Sequence, residues 1–432
     1  DWSEVIQNAG YYGTGFFGLF FWLYKVIENP LIIYRIILVF CSIIQALTAV
    51  ICYYFLRDIF QIKNSIFICV TSVLCSFCVA TRTTIAYNEH PLILISWLYA
   101  LAIALLIKNR DNFKKRFIFF VIAFFLIAYG TTIHIRFSIV AIATILVYIF
   151  YYIVFKEKLF PVKWVIIPGL LYMGAQFYIT YIQGALWLVN KGETIRNSAI
   201  KVTTAADFHN FQTWKAWLSI IIGQLATMNV AMLGLFFFAV VMGFFFVFDI
   251  LRHRVKEKRL NFSDNTKILI AVFLIFLLSA GGTIFAQSIS WLNGVASGLI
   301  NNEDAAGWYS YKAFTYVRYA APYIGPVILC GFILCKERQK HILLAIKCST
   351  AIFALFSLYF YFFILPLIQN NTDAVEAFIP WSFGWKYGDA VTSGNYIYSF
   401  LLCFILCLLG WLMFQNKKGI YFHCILCILL IS

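Results

Sequence analysis

The residues best placed to do chemistry in this 432-residue chain are a few ionisable and aromatic groups that interrupt long apolar runs. Glu89 and His90 stand together before Pro91, one residue separates His134 from Arg136, and Arg318 is followed by Tyr319. The amino-terminal stretch adds Asp1, Glu4, Tyr11 and Tyr12. Against hydrocarbon an ionised group is costly, about 2.5–3.5 kcal/mol for Arg at a helix centre. Charges at such positions therefore need partners or a task. A carboxylate (Asp1, Glu4 or Glu89) can take a proton from a hydroxyl. The guanidinium groups of Arg136 and Arg318 can hold a phosphate or carboxylate through two parallel hydrogen bonds. Plainer accounts exist for two of them: Arg136 reaching up to lipid headgroups, and His134 closing a helix end.

The elements that must position these groups follow from composition. Hydrophobic residues make up 63% of the chain and charged residues 12%, with a mean hydropathy of +0.86. Soluble domains carry about 25% charged residues. The deficit runs the whole length, so residues 1–432 are expected to form a single transmembrane domain with no sizeable soluble part. A span needs about 20 apolar residues. Runs of suitable character lie near 33–56, 64–81, 91–107, 117–131, 137–155, 162–182, 228–250, 266–287, 319–335, 342–364, 395–414 and 420–432. Backbone groups in lipid must pair within their own segment, which makes these helices. The expected fold class is an all-α polytopic transmembrane bundle of about twelve helices, with one more expected before Asp1 and interfacial helices in the outer loops.

Charge divides the connections into two sets. Arg57–Lys63, Lys108–Arg116, Lys156–Lys163, Arg252–Lys267, Lys336–Lys340 and Lys417–Lys418 are short and basic, the mark of cytoplasmic loops. The other set, 1–32, 82–90, 132–136, 183–227, 288–318 and 365–394, is longer, aromatic and mixed in charge. With Arg35 at a helix mouth, it holds 11 of the 33 Lys and Arg and 11 of the 18 Asp and Glu. The net charge of +15 thus resides entirely on the inner side. It reports orientation in a membrane, and nucleic-acid binding, which needs a basic face on a folded surface, is not expected. An arginine that begins a helix on the outer side runs against this rule, which singles out Arg318 as an anion ligand.

Within the outer set, residues 16–27 are too short to span and precede Pro30, so they suit a helix lying in the interface. Gly10, Gly13 and Gly15 have neither a preceding strand nor a following lysine, so they are no phosphate loop; a tight turn that brings Tyr11 and Tyr12 to the surface is expected. The second half of 183–227 is amphipathic and suits a helix lying flat. Twelve cysteines sit almost wholly in apolar runs, including the pairs Cys75/Cys78 and Cys424/Cys427. Without polar partners these read as small apolar filler.

Four segments together resemble a known family. They are GYYGTGFFGLFFWLYKVIENPLIIYR from Gly10 to Arg35, AYNEHP from Ala86 to Pro91, YGTTIHIR from Tyr129 to Arg136, and Tyr316-Val-Arg318-Tyr319. Their order resembles the membrane glycosyltransferases of the GT-C fold, bacterial members included, which use polyprenyl-phosphate-linked sugars. The resemblance implies a polyprenyl-phosphate sugar as donor and a glycan, lipid or protein of the cell envelope as acceptor. It places the chain in the cell membrane, among membrane lipids, with its active site on the extracytoplasmic side. It implies an acidic base in the first outer loop, at Asp1 or Glu4, with Glu89 as an additional carboxylate. Tyr11, Tyr12, His90, His134, Arg136, Arg318 and Tyr319 would bind substrate. The Asp-Glu pair common in that family's first loop is not seen here. Some members use a divalent metal ion, which no ligand cluster in this sequence demands. Two other classes fit a many-helix chain: a flippase or solute transporter, and an envelope glycan polymerase or ligase using Lys191, Arg196 and His209. The first is disfavoured by the lack of a convincing internal repeat.

Overall fold

The computed structural model describes residues 13–77, 86, 88–186, 208–256, 262–301, 313–368, 393–416, 419, 421–422 and 424–426. Among them the regular structure is helical. The longer helices are α1 (Pro30–Tyr54), α2 (Ser65–Phe77), α3 (Glu89–Lys108), α4 (Phe113–Ile133), α5 (Ile139–Phe155), α6 (Ile166–Leu186), α7 (Phe211–Ala231), α8 (Leu235–Lys256), α9 (Asp264–Asn301), α10 (Ala321–Glu337), α11 (Gln339–Tyr359) and α12 (Ser393–Gln415). Ten helical segments among the described residues are long and apolar enough to cross a bilayer. The chain is a multi-pass helical membrane protein.

Local sequence sets the helix starts. Asn29, Asn112 and Asn210 precede α1, α4 and α7, and each side-chain oxygen accepts a backbone N–H of the first turn at 2.8–3.0 Å. That satisfies donors which no helix can pair internally. Pro30 at the first position of α1 has no N–H to orphan.

Most expected spans coincide with helices, and four differ. The segment expected at 64–81 is described only as α2, over Ser65–Phe77, and most of 420–432 lies outside the described residues. The span expected at 228–250 is shifted: α7 runs to Ala231, and α8 begins at Leu235. Between them the backbone turns through Leu233 (φ 53°) and Gly234 (φ 83°), a left-handed pair that no helix continues through. The amphipathic second half of 183–227 forms α7, which buries Ala216, Ile220, Gln224 and Thr227, and the Trp217 indole donates to Ser288 Oγ on α9 at 2.9 Å. Finally, α9 does not stop near 287 but runs on to Asn301, burying Leu292, Val295 and Ala296 at helical spacing.

Among the described residues, connections of the basic set and parts of the other set lie at opposite ends of the bundle. At the basic end, Lys108 Nζ donates to Asp58 O at 3.0 Å, and Arg116 donates to the carbonyls of Lys158 and Leu159 at 2.7 and 3.0 Å. Arg110 pairs with Glu157 and Asp264, and Arg338 with Asp249 at 2.6 Å. At the other end lie the first loop, the starts of α3 and α10, and the α4–α5 junction. In between, apolar side chains such as Phe125, Ile145, Phe177 and Phe248 are exposed around the bundle, as lipid contact requires.

Lys267 makes the basic end a test of packing. It is 2% exposed and both Glu157 oxygens lie 2.7 Å from its ammonium. Glu157→Gln should destabilise the protein by about 2–3 kcal/mol, below the 3–5 of a wholly buried pair because Glu157 keeps contact with solvent. Adding Lys267→Met should recover most of it. Thermal unfolding in detergent measures both.

Candidate functional site

The two most enclosed of the spanning helices, α3 and the segment that contains α10, begin at the same mouth of the bundle. This is what brings together residues 229 positions apart in sequence. Glu89 opens α3, where its side chain is 5% exposed. Arg318 sits in the 3-10 turn Arg318–Ala320 that leads into α10, and its Nε lies 3.1 Å from Glu89 Oε1. His90 is fully enclosed beside Glu89 in the first turn of α3.

The third arm comes from the α4–α5 junction. At the end of α4 the chain becomes extended at His134 and then forms a 3-10 turn, Ile135–Ser138. His134 Nδ1 accepts the backbone N–H of Arg136 at 3.2 Å. A neutral ring bonded this way carries its proton on Nε2. The Arg136 guanidinium lies over the Tyr319 ring, 3.5 Å from its centre, and the guanidinium of Arg318 is 5.1 Å from the same ring. Tyr319 also packs on the His134 ring at 5.5 Å and on Tyr316 at 4.7 Å, and Tyr316 meets Trp291 of α9 at 5.1 Å. Two guanidinium groups therefore share one tyrosine as a neighbour.

The first loop docks on this assembly. Gly15 N donates to Thr132 O at 3.0 Å, and Tyr129 Oη donates to Gly15 O at 3.0 Å. A Cβ at Gly13 would strike the Ile133 carbonyl, and one at Gly15 would strike the Thr132 side chain. These glycines serve close approach to the end of α4, next to His134, a role the sequence pattern had not separated from a turn. Beyond them, residues 17–26 form two short helices with Phe17, Leu19, Phe21 and Trp22 exposed and Phe16, Phe20 and Leu23 buried. That is the form expected of an interfacial segment. Asp1, Glu4, Tyr11 and Tyr12 lie outside the described residues, immediately before this anchor.

Among the described residues at this mouth, Arg318 pairs with the carboxylate of Glu89, and Arg136 Nη1 is buried without a hydrogen-bond partner. A buried donor left unpaired costs about 1–3 kcal/mol, more when charged. Burial, and then the charges of Arg136 and Arg318, push the His134 imidazole down to about 3 from its usual 6.5. It is a neutral Nε2–H donor at working pH. The sign of the linkage follows: the unfolded chain binds a proton below about pH 6.5 that the folded protein excludes. Stability is therefore full above that pH and falls as the medium is acidified toward pH 3. By pH 5 the loss from this group should be about 2 kcal/mol. The unfolding midpoint of His134→Gln should drop less than wild type between pH 7.5 and 5.

The sequence alone did not single out one enclosed polar residue of α9. Gln287 of α9 is 3% exposed, and neither its Nε2 nor its Oε1 has a partner among the described residues. A polar residue in the last part of an apolar run carries no signal in sequence alone; its burial in the bundle is the signal. As to a metal ion, Glu89 faces Arg318, and no three His, Cys, Asp or Glu side chains converge among the described residues. The chain matches no protein-family model, no curated protein and no solved structure.

Proposed function

We propose that this protein is a membrane glycosyltransferase that moves a sugar from a polyprenyl-phosphate donor to a cell-envelope acceptor at the mouth lined by Arg136 and Arg318. The observation that carries this reading is the set of donors there: among the described residues, two guanidinium groups and a neutral imidazole N–H stand with one carboxylate, and one buried guanidinium nitrogen has no partner. Such a site favours a group that gains negative charge during reaction. By the charge rule for loops, the basic end lies in the cytoplasm and this mouth outside it.

In the proposed step the acceptor hydroxyl oxygen attacks the anomeric carbon, and the bond from that carbon to the phosphate oxygen breaks. The electron pair leaves with the polyprenyl phosphate, where Arg136, Arg318 and His134 Nε2–H receive the developing charge. The hydroxyl proton passes to a carboxylate, for which Asp1 or Glu4 is assigned, since the docked Gly13–Gly15 segment ties the first loop to this mouth. One displacement inverts the anomeric centre. Glu89, held by Arg318, acts as a positioning residue for that guanidinium. Tyr319 supports both arginines, with Tyr11, Tyr12 and His90 assigned to the surrounding binding surface.

Asp1→Asn, Glu4→Gln and Arg318→Ala, each reconstituted in proteoliposomes with polyprenyl-phosphate-linked hexoses and envelope acceptors, test the reading. At least one carboxylate variant and the Arg318 variant should lose about 100-fold or more of transfer. Undiminished transfer by all three would remove the assignment.

A further inference from the structure

The line of contacts between α9 and the start of α10 gives Gln287 a place. The Thr283 side chain lies near the Tyr323 hydroxyl, and Trp291 packs edge-on against Tyr316 at 5.1 Å. The two segments run in opposite directions: going up α9 from 283 to 291 matches going down the other from 323 to 316. Residues four apart on a helix share a face, so Gln287 projects from the same side as Thr283 and Trp291. Its level falls midway between them, beside Tyr319, the ring that carries Arg136. Ser288, the next residue, is turned toward α7 and accepts the Trp217 indole N–H at 2.9 Å.

At that level a 97%-enclosed carboxamide has nothing to donate to or accept from among the described residues. Buried amides are nearly always paired in folded proteins, and each exception calls for a reason. A carboxamide offers one acceptor and two donors in a single plane. Its complement is a pair of adjacent hydroxyls, each able to donate and accept at once. Hydroxyls of that kind lie one ring away from the phosphate of a phosphate-linked sugar.

We infer that Gln287 is a sugar-binding residue of this mouth, its carboxamide taking two neighbouring hydroxyls of the hexose whose phosphate lies against Arg136 and Arg318. The inference rests on the glycosyl-transfer reading and adds to it: the arginines hold the phosphate whatever it carries, and Gln287 recognises the sugar. The two contributions separate in a binding experiment on the whole protein. Polyprenyl phosphate without sugar and a panel of polyprenyl-phosphate-linked hexoses are titrated against wild type, Gln287→Leu and Arg136→Ala in nanodiscs.

Wild type should bind at least one hexose-bearing lipid about tenfold or more tightly than plain polyprenyl phosphate. Gln287→Leu should erase that gap while leaving the affinity for the plain lipid within about twofold, and should unfold at the same or a higher temperature because no orphaned amide remains. Arg136→Ala should weaken both lipids. If the gap persists in Gln287→Leu while Arg136→Ala weakens both, Gln287 holds only a buried water and the inference fails, with the donor reading intact. If wild type binds neither lipid, both fail. Gln287→Met, close in length, serves the same comparison should the leucine variant not fold.

Discussion

Arg136→Ala is expected to cut sugar transfer by about 100-fold or more while leaving the protein folded. Loss of one preorganised donor to a developing oxyanion costs about 10²–10³ in rate. Arg136 is placed to act this way because its guanidinium rests on Tyr319 at 3.5 Å while Nη1 is buried and has no partner among the described residues. The same geometry predicts a small stability cost. The lost ring contact, about 1–2 kcal/mol for a desolvated cation over an aromatic face, is offset by removal of an unsatisfied buried charge. Arg136→Lys keeps the charge but loses the planar fork and the stacking, so it should recover only part of the rate. Steady-state kinetics give the decisive readout: a group acting on the leaving phosphate lowers kcat, whereas one that only binds donor raises KM. Transfer by Arg136→Ala within tenfold of wild type would remove Arg136 from the reaction.

The second large effect concerns the pair at 3.1 Å between Glu89 and Arg318. Each side chain is mostly enclosed, 5% and 18% exposed. Removing one partner of such a pair strands the other charge and costs about 3–5 kcal/mol, whereas removing both costs much less. Glu89→Gln and Arg318→Gln should therefore each lower the unfolding temperature sharply, and the double variant should regain most of the loss. Transfer should behave differently. Glu89→Gln keeps the arginine with a looser hold and should retain some activity, but the double variant should stay inactive, because stability returns without the guanidinium. A double variant that regained transfer along with stability would make Arg318 a structural residue only.

A double-mutant cycle of this kind also separates positioning from catalysis at Glu89. If Glu89 served as the base, Glu89→Gln would abolish transfer at every pH. As a positioning residue it leaves the pH profile unchanged in shape and lowers its height.

The amino-acid sequence by itself determined the class of molecule and the grouping of its ends. Apolar length and the need to pair backbone in lipid dictate helices. The sorting of basic residues into alternate connections separated two ends that the structure also keeps apart, with Arg110, Arg116 and Lys267 at one and Arg136 and Arg318 at the other. Glu89, His134, Arg136 and Arg318 were legible as candidates because each is a polar group where hydrophobicity alone would place none. What only the tertiary structure decided is who faces whom. That Arg318 meets Glu89 and that Tyr319 supports Arg136 depend on α3, α10 and the α4–α5 junction ending at one level, a matter of packing between segments far apart in sequence. Gly13 and Gly15 were visible as glycines, but the carbonyls they must approach belong to α4. Gln287 was silent, because a lone amide in an apolar run looks the same whether its partner is a neighbouring helix, a water or a ligand; only the tertiary structure shows it enclosed with no partner among the described residues. Hydrophobic period and charge bias are local properties that a chain carries in one dimension, whereas an unpaired polar atom exists only once the surrounding helices have closed around it.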